Sequence, residues 1–348
     1  MENQTEVSQF ILLGLTDLQG LQPFLFLLFL MLYLISLVGN STILFAVLTE
    51  AHLHTPMYFF LSNLSCLDIC YATVTVPKML SGFISGPQHI SFSGCLTQLH
   101  FFHFTGSSEG VLLAVMAYDR YVAICNPLHY VVIMNKCTCL LLAAASWGTG
   151  FCHALMHTVM TSRLHFCGPN LVQHFFCDIK PLLRLACSSI QLNIRLLNTV
   201  TGLIVMIPFI LTLLSYLYII SFLLLKVKSN KARWKAFSTC TSHLTVVNLL
   251  YVPVLFNYLP SAGDIPLGDM ISTLMYNVGV SVLNSLIYTL RNKEMKLAIR
   301  KILTIKWPAK NLNNFLVVHR STTVLVNIVH LFMSLGWIQN MLLECDSH

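Results

Sequence analysis

Seven apolar segments constrain this chain more than any other feature of its sequence. They occupy residues 23–48, 57–80, 95–122, 138–162, 194–225, 236–260 and 270–290. Each is long enough to cross about 30 Å of hydrocarbon as an α-helix. Charged residues make up 9% of the chain, whereas a soluble domain carries about 25%. The sequence therefore predicts an all-α membrane protein, a seven-transmembrane helix bundle with the lipid bilayer as its partner.

Lysine and arginine are distributed unevenly between the two ends of these segments. If the N-terminus is outside, 14 of the 20 lie at cytoplasmic ends and 5 in outer loops, with Arg320 set aside. Because positive residues collect on the cytoplasmic side, the N-terminus is predicted outside and the C-terminus inside. The net charge of +7 follows from this topology, with some attraction to anionic lipid. No interleaving of basic and aromatic residues indicates binding to nucleic acid.

The segments divide the chain into three parts. Residues 1–22 are predicted to form an extracellular tail, residues 23–305 the seven-transmembrane domain and residues 306–348 an atypical C-terminal tail with an apolar stretch. Asn3 begins an Asn-Gln-Thr triplet, an N-glycosylation acceptor that is usable only outside. The stretch from Ser321 to Leu343 contains no Lys, Arg, Asp or Glu. For this stretch the sequence favours an altered reading frame or splice form over an eighth span or an interfacial helix.

Four of the 12 cysteines lie in predicted outer segments: Cys95, Cys167, Cys177 and Cys187. An oxidising exterior permits disulfides there, but four cysteines allow three pairings. The residues alone leave the pairing open. A bridge from Cys95 to Cys177 would tie the long outer loop to the top of the third span. On the loop-entropy model it would stabilise the fold by about 4–5 kcal/mol.

Two carboxylates lie inside predicted spans, Asp68 in the second and Glu109 in the third. An intramembrane acid costs about 2.5 kcal/mol or more on insertion, so both are expected to face the interior of the bundle. With Asn40, Asn284 and Ser285 they could hold a cation such as Na⁺ or share a proton. The alternative is a polar hydrogen-bond network without an ion. No other cofactor is indicated.

The sequence predicts no enzymatic activity, because it lacks Gly-x-Ser-x-Gly, His-Glu-x-x-His and a phosphate-cradling loop. Two histidine pairs have helical spacing, His153 with His157 and His100 with His103. Either pair could bind a metal from one helix face. Neither has an adjacent cysteine or carboxylate to complete a metal site. Histidines at the interface or in a pocket are therefore the favoured interpretation.

A ligand pocket is expected among the outer halves of the third, fifth, sixth and seventh spans. Its candidate lining residues are Phe102, His103, Gly106, Ser107, Val200, Ile204, Val254, Leu255, Tyr258 and Asn277. Most are apolar or weakly polar, and none resembles a fixed counter-ion for an amine. The ligand implied is small, uncharged and mostly apolar, with a few hydrogen bonds to orient it. The alternative is that these residues only pack the bundle.

Five motifs follow one another within residues 1–305. They are Leu53-His-Thr-Pro-Met-Tyr-Phe-Phe-Leu-Ser-Asn63, the run from Met116 to Tyr130 around Asp119-Arg120, Ser215-Tyr216, Lys235-Ala-Phe-Ser-Thr-Cys-x-Ser-His-Leu244, and Asn284-Ser-Leu-Ile-Tyr-Thr-Leu-Arg-Asn292. Together they resemble the motifs of the olfactory receptors, a branch of the rhodopsin-like (class A) G-protein-coupled receptors. One motif alone is moderately specific, whereas five in order within seven spans are very specific.

The resemblance implies a multi-pass receptor of the plasma membrane. Such a receptor would bind small, volatile, mostly apolar odorants and activate a stimulatory, olfactory-type G protein, which raises cAMP through adenylyl cyclase. The G-protein switch would comprise Asp119, Arg120, Tyr121, Tyr216, Asn284 and Tyr288. Within it, Asp119 and Arg120 would form an ionic lock whose arginine meets the G protein.

The same resemblance implies further sites. Tyr251 would lie at the floor of the ligand pocket, and Asp68 would belong to a sodium-type site with Glu109 close by. The outer cysteines would pair as Cys95–Cys177 and Cys167–Cys187.

Two serines depart from the family pattern, since Ser281 and Ser285 stand where prolines are usual. Any kink in the seventh helix must then have another cause, such as serine or water entering the backbone ladder. This leaves a poorly coupled or pseudogene-like receptor variant as an alternative. A proton- or Na⁺-coupled secondary transporter, with Asp68 and Glu109 as a relay, is a third interpretation. The lack of an internal repeat argues against it.

Overall fold

The computed structural model describes residues 7–15, 20–258 and 266–304. In chain order its helices are α1 (Gln22–Thr49), α2 (Pro56–Ser85), α3 (Phe92–Cys125), α4 (Tyr130–Ile133), α5 (Lys136–Ser162), α6 (Ile179–Leu185), α7 (Gln191–Leu196), α8 (Gly202–Leu225), α9 (Asn230–Tyr258), α10 (Pro266–Leu274), α11 (Val280–Arg291) and α12 (Lys293–Thr304). The predicted glycosylation site Asn3 and the predicted C-terminal tail 306–348 lie outside the described residues.

Two π-helical turns join shorter helices into longer ones. Leu197–Thr201 connects α7 to α8, and Met275–Gly279 connects α10 to α11. The described residues thus contain seven long helical segments, of which six are long and apolar enough to cross a membrane. The seventh, α3, is 34 residues long but carries many polar side chains. The prediction of an all-α, seven-transmembrane bundle is confirmed.

The bundle has an apolar surface and a partly polar interior, the reverse of a soluble protein. Phe24 on α1 is 64% exposed and Leu217 on α8 is 62% exposed, whereas Asn40 and Glu109 are fully buried. In hydrocarbon an exposed apolar side chain costs nothing, while polar groups must find partners inside the protein. This distribution fits a chain that folds within a bilayer.

The π turn at Met275–Gly279 supplies the irregularity that proline would otherwise give the seventh long segment. A π turn inserts one extra residue into the helical repeat and is a known cause of helix distortion. It lies one turn before Ser281. The seventh long segment is therefore still interrupted although it lacks the usual prolines. The interruption is the π turn, which the sequence motif did not indicate.

A small sheet that the sequence did not predict covers one end of the bundle, which we call the outer end. Strand β1 (Gln9–Leu12) pairs antiparallel with β2 (Gln88–Ser91), with Phe10 opposite Ile90. On its other side β1 pairs in parallel with β3 (Leu171–Val172). The strands are four residues or shorter and come from three distant segments, so no hairpin pattern in the sequence marks them.

Disulfides fasten this outer cap to the helices. Cys95 at the start of α3 is bonded to Cys177, and Cys167 is bonded to Cys187, with Cα–Cα distances of 5.4 and 5.8 Å. Both predicted pairings are confirmed. Because Cys177 lies two residues before α6, the first bridge ties this short helix to the start of α3.

Candidate ligand cavity and switch residues

A cavity lies in the outer half of the bundle, between α3, α5, α8 and α9. Its lining side chains leave about 520 Å³ of empty space between them, a figure that includes the open side of the cavity. The residues that border it are Tyr71, Phe102, His103, Gly106, Ser107, Gly110, His153, Thr201, Ile204, Val205, Leu250, Tyr251, Val254, Tyr258 and Tyr276. Aromatic and aliphatic side chains form most of its wall.

Eight of the eleven predicted pocket residues border this cavity: Phe102, His103, Gly106, Ser107, Ile204, Tyr251, Val254 and Tyr258. The other three do not border it. Val200 lies in the first π turn, where Thr201 faces the cavity instead. Leu255 lies off the face of α9 that carries Val254 and Tyr258, which are one helical turn apart. Asn277 faces α2, where it accepts a hydrogen bond from Thr75 at 3.0 Å.

Sequence reasoning missed seven residues that border the cavity: Tyr71, Gly110, His153, Thr201, Val205, Leu250 and Tyr276. Tyr71 was missed because α2 was not considered as a wall. Its ring lies 5.1 Å from that of Phe102, which in turn lies 6.2 Å from Tyr276. The helical spacing of His153 and His157 was the one signal available for α5, and His153 does line the cavity.

Four hydrogen-bonded side chains, which we call the polar wall, form one side of the cavity: Ser107, His153, His157 and Thr201. Ser107 Oγ lies 2.7 Å from His153 Nδ1. The Nε2 atoms of His153 and His157 are 3.1 Å apart, and each lies 2.9 Å from Thr201 Oγ1. Three of the four border the cavity, while His157 stands behind His153.

The outer cap contributes a carboxylate next to the cavity. Asp178, the N-cap of α6, accepts hydrogen bonds from its own helix at Ile179 N, 2.7 Å away, and from His103 Nε2, 3.3 Å away. Burial raises the pKa of Asp178, but the hydrogen bond and charge of His103 outweigh it and hold the pKa below its ordinary value. Asp178 is thus already partnered and does not itself border the cavity.

Below the cavity, the two intramembrane acids meet on one asparagine. Asn284 Nδ2 lies 3.1 Å from each carboxylate oxygen of Asp68 and 3.3 Å from Glu109 Oε1. Among the described residues, Glu109 Oε2 and Asn284 Oδ1 have no hydrogen-bond partner. Ser281 joins this cluster by donating from its Oγ to the backbone oxygen of Asp68 at 3.2 Å.

At the opposite end of α3 lies the charged pair that the motif indicated. Arg120 donates from Nε to Asp119 Oδ2 at 3.0 Å. Asp119 is buried, and its other oxygen accepts a hydrogen bond from Tyr130 at 2.7 Å. Tyr130, in α4, is a partner of the lock that sequence reasoning did not assign. The sequence could have indicated Tyr130 as a partner, because this residue ends the same motif as Asp119 and Arg120.

The predicted switch tyrosines do not meet each other. Tyr216 is bonded through its hydroxyl to His243 Nδ1 at 2.7 Å. The hydroxyl of Tyr288 is buried without a hydrogen-bond partner among the described residues. Tyr121 points toward α8, where its ring lies 5.2 Å from that of Tyr218. Asn284 belongs to the acid cluster above, so the predicted switch residues form several contacts and not one.

Comparison with known proteins identifies the family. The family model described as olfactory receptor matches residues 29–306. Human olfactory receptors 12D1 and 12D2 are each 57% identical to this chain, over 90% and 87% of it and 99% of their own length. Rat olfactory receptor 1f45 is 47% identical over 88% of this chain and 98% of its own length. The chain belongs to the olfactory receptor family.

Membership confirms the resemblance drawn from the five motifs. Olfactory receptors are G-protein-coupled receptors of the plasma membrane and not enzymes, as expected for this receptor. The family match ends at residue 306, where the atypical tail of this olfactory receptor was predicted to begin.

The two serines of the receptor's seventh segment occupy tight contacts with α1. Ser281 is hydrogen-bonded to Ser36, and its backbone oxygen accepts from Asn40 Nδ2 at 3.2 Å. Ser285 lies so close to Gly39 that a Cβ on Gly39 would come within 2.6 Å of its Oγ. The serines thus hold the two helices together through small side chains.

Proposed function

We propose that the cavity is the odorant site of this receptor and that its ligands are small, uncharged and mostly apolar. The observation that carries this proposal is the composition of the wall. Among the described residues that border the cavity there is no Asp, Glu, Lys or Arg, and aromatic and aliphatic side chains dominate. A charged ligand would lose its hydration without a counter-ion, whereas an apolar one gains by leaving water.

The proposed signal is a population shift from an inactive to an active arrangement of the inner end. The Asp119–Arg120 pair, tied to Tyr130, belongs to the inactive state. An odorant that binds the active state a hundredfold more tightly favours it by about 2.7 kcal/mol. Release of Arg120 would expose a cation to a helix of the stimulatory, olfactory-type G protein, and cAMP would rise.

The acid cluster fits a cation or a shared proton as a modulator of this equilibrium. Two carboxylates share one amide, and the open oxygens of Glu109 and Asn284 are of the type that Na⁺ accepts. Exchange of NaCl for choline chloride in the medium would then change agonist potency in the parent receptor but not in Glu109→Gln. Equal behaviour of the two would favour a hydrogen-bond network without an ion.

A poorly coupled receptor is the second candidate, and one observation favours it. Tyr288 follows the proline-free stretch and its buried hydroxyl has no partner among the described residues, so this candidate switch tyrosine is not hydrogen-bonded there to another helix. Such a variant would bind odorants but raise little cAMP.

The test of both candidates is a broad panel of volatile compounds with a cAMP reporter. It uses cells in which surface labelling shows the receptor at the plasma membrane, with the full chain and a chain that ends after residue 311. Concentration-dependent cAMP signals support the odorant receptor. Odorant binding to purified receptor without a cAMP signal supports the poorly coupled variant. If no compound in the panel bound to the receptor or raised cAMP, the proposal would be overturned.

A further inference from the structure

The polar wall is the one part of the cavity that an apolar ligand does not explain. Its members come from α3, α5 and the first π turn, and the bonded partners are up to 48 residues apart in sequence. His153, His157 and Thr201 are at most 3% exposed. Buried polar groups are costly unless they are hydrogen-bonded. Two of these groups, His153 and Thr201, border the cavity beside Ser107 and therefore indicate a polar contact with the occupant.

In either tautomer of His153, Ser107 can form one more hydrogen bond, to a ligand in the cavity. A neutral histidine has one N–H and one accepting nitrogen. If His153 carries its proton on Nε2, Ser107 donates its hydroxyl hydrogen to Nδ1, and its oxygen can still accept from a ligand. If the proton is on Nδ1, Ser107 accepts from His153 and can give its own hydrogen to a ligand. Each tautomer thus offers the cavity a different partner.

His157 and Thr201 make both tautomers of His153 possible. When His153 donates from Nε2, the oxygen of Thr201 accepts and the threonine hydroxyl can donate to His157. When His153 accepts at Nε2, Thr201 or His157 can donate to it, at 2.9 and 3.1 Å. His157 therefore acts through His153 as a positioning residue.

We propose that the polar wall is an oxygen subsite that selects odorants with one neutral oxygen, an alcohol or an aldehyde. This inference rests on the proposed odorant function of the cavity. The ligand oxygen binds at Ser107, and the ligand carbons lie against the aromatic wall of Phe102, Tyr251 and Tyr276. Because the tautomer of His153 reverses the direction of the Ser107 bond, a donor and an acceptor oxygen are both accepted.

Charged versions of the same ligands fit this subsite poorly. Asp178, the carboxylate beside the cavity, is already bonded to His103 and to the backbone of Ile179. It does not border the cavity, so it forms no direct ion pair with an amine there. An acid or amine would have to lose its charge or its hydration on entry.

Matched compounds test the subsite directly. Three series share one carbon skeleton each: octane, octanol, octanal, octanoic acid and octylamine, with the corresponding derivatives of methylcyclohexane and toluene. We expect alcohols and aldehydes to act at concentrations about tenfold or more below those of the hydrocarbon, acid and amine of the same series, the factor that corresponds to one hydrogen bond of about 1.4 kcal/mol.

The substitution Ser107→Ala should raise the half-maximal concentration of the active alcohol or aldehyde about tenfold and leave surface expression unchanged. Ser108→Ala is the matched control. Its hydroxyl is buried without a hydrogen-bond partner among the described residues and does not border the cavity. His157→Phe should change the ratio of alcohol to aldehyde potency, which a purely structural role would leave constant.

Two results separate the subsite from the function on which it rests. If the broad panel yields agonists but hydrocarbons, acids or amines match the neutral oxygen compounds, the subsite is overturned and the odorant receptor stands. Equal effects of Ser107→Ala and Ser108→Ala on an alcohol would overturn it too. If no compound binds or signals, the proposed function fails and the subsite with it.

Discussion

The outer and inner halves of α3 hold their polar groups in different ways. In the outer half, Ser107 is bonded to His153 on α5, 46 residues further along the chain, and His153 is bonded to Thr201 in the first π turn, a further 48 residues along. At the inner end, Asp119 and Arg120 are adjacent, and Tyr130 is only 11 residues beyond Asp119. The inner group is charged and local; the outer group is uncharged and depends on the packing of three elements.

Because of this difference, we expect the two ends to respond differently to substitutions. A local ion pair forms as soon as its helix does, and it changes strength mainly when one partner is removed. A tertiary hydrogen-bond network requires that the spacing between its helices be correct to within a few tenths of an ångström. The inner end should therefore be sensitive to substitution at few positions, and the outer end to small changes of helix spacing at many positions.

The largest effect is expected from Arg120→Ala at the inner end. It removes the cation that the G protein would meet and leaves buried Asp119 with Tyr130 alone, at a cost of about 3–5 kcal/mol. Odorant-evoked cAMP should be lost, as measured with a reporter and normalised to surface receptor. Arg120→Lys, which keeps the charge, is the control and should retain part of the signal. A full response of Arg120→Ala would show that the pair is only structural.

Loss of a disulfide should rank second, and the two bridges of the outer cap should differ. Cys95 and Cys177 are separated by 82 residues, Cys167 and Cys187 by 20. Loop entropy then gives about 4–5 kcal/mol to the first bridge and about 3 kcal/mol to the second. We expect Cys177→Ser to lower the midpoint of thermal unfolding of the purified receptor more than Cys187→Ser. The reverse order would contradict the entropic account.

The same contrast explains what the sequence could predict. Hydropathy predicts the spans and shows that two acids lie within them, and the lock follows from a motif whose residues are neighbours in sequence. Sequence reasoning missed Tyr276 and Thr201 as cavity residues, because each depends on how far a helix turns before it reaches the cavity. It missed Tyr71 because α2 was not considered as a wall. The π turn at Leu197–Thr201 changes that rotation, and no residue pattern marks it. This is why Val200 was predicted in place of Thr201.

A third prediction tests the spacing of α3 and α5 directly. Gly150 lies one turn before His153, and a Cβ there would come within 2.1 Å of Ser108 Oγ and 2.6 Å of the backbone oxygen of Phe104. Because backbone cannot yield as a side chain can, Gly150→Ala must move α5 away from α3. We expect a destabilisation of about 1–3 kcal/mol and weaker responses to alcohols.

Gly148→Ala provides the matched control, since nothing lies within 4 Å of a Cβ at that position. Thermal unfolding and the cAMP response to one active alcohol should distinguish the two variants. If both variants behave like the parent, α3 and α5 can move apart at Gly150 without effect on stability or response. The contrast between a packed outer end and a local inner end would then not hold.

The smallest effect is expected from pH at the outer cap. Burial lowers the pKa of His174 from 6.5 to about 4, although Asp178 nearby opposes the shift. Its Nδ1 is buried without a partner among the described residues. Because the folded pKa lies below the unfolded one, the contribution of neutral His174 to stability is complete above pH 6.5 and is lost as pH falls toward about 4.

The midpoint temperature of thermal unfolding of the parent should therefore decrease as the pH is lowered from about 7 to about 5. The substitution His174→Gln should make this decrease smaller. His89→Gln in β2 is the control, because that side chain is exposed within the same cap. Equal pH profiles for the parent and His174→Gln would show that the cap does not sense protonation at this histidine.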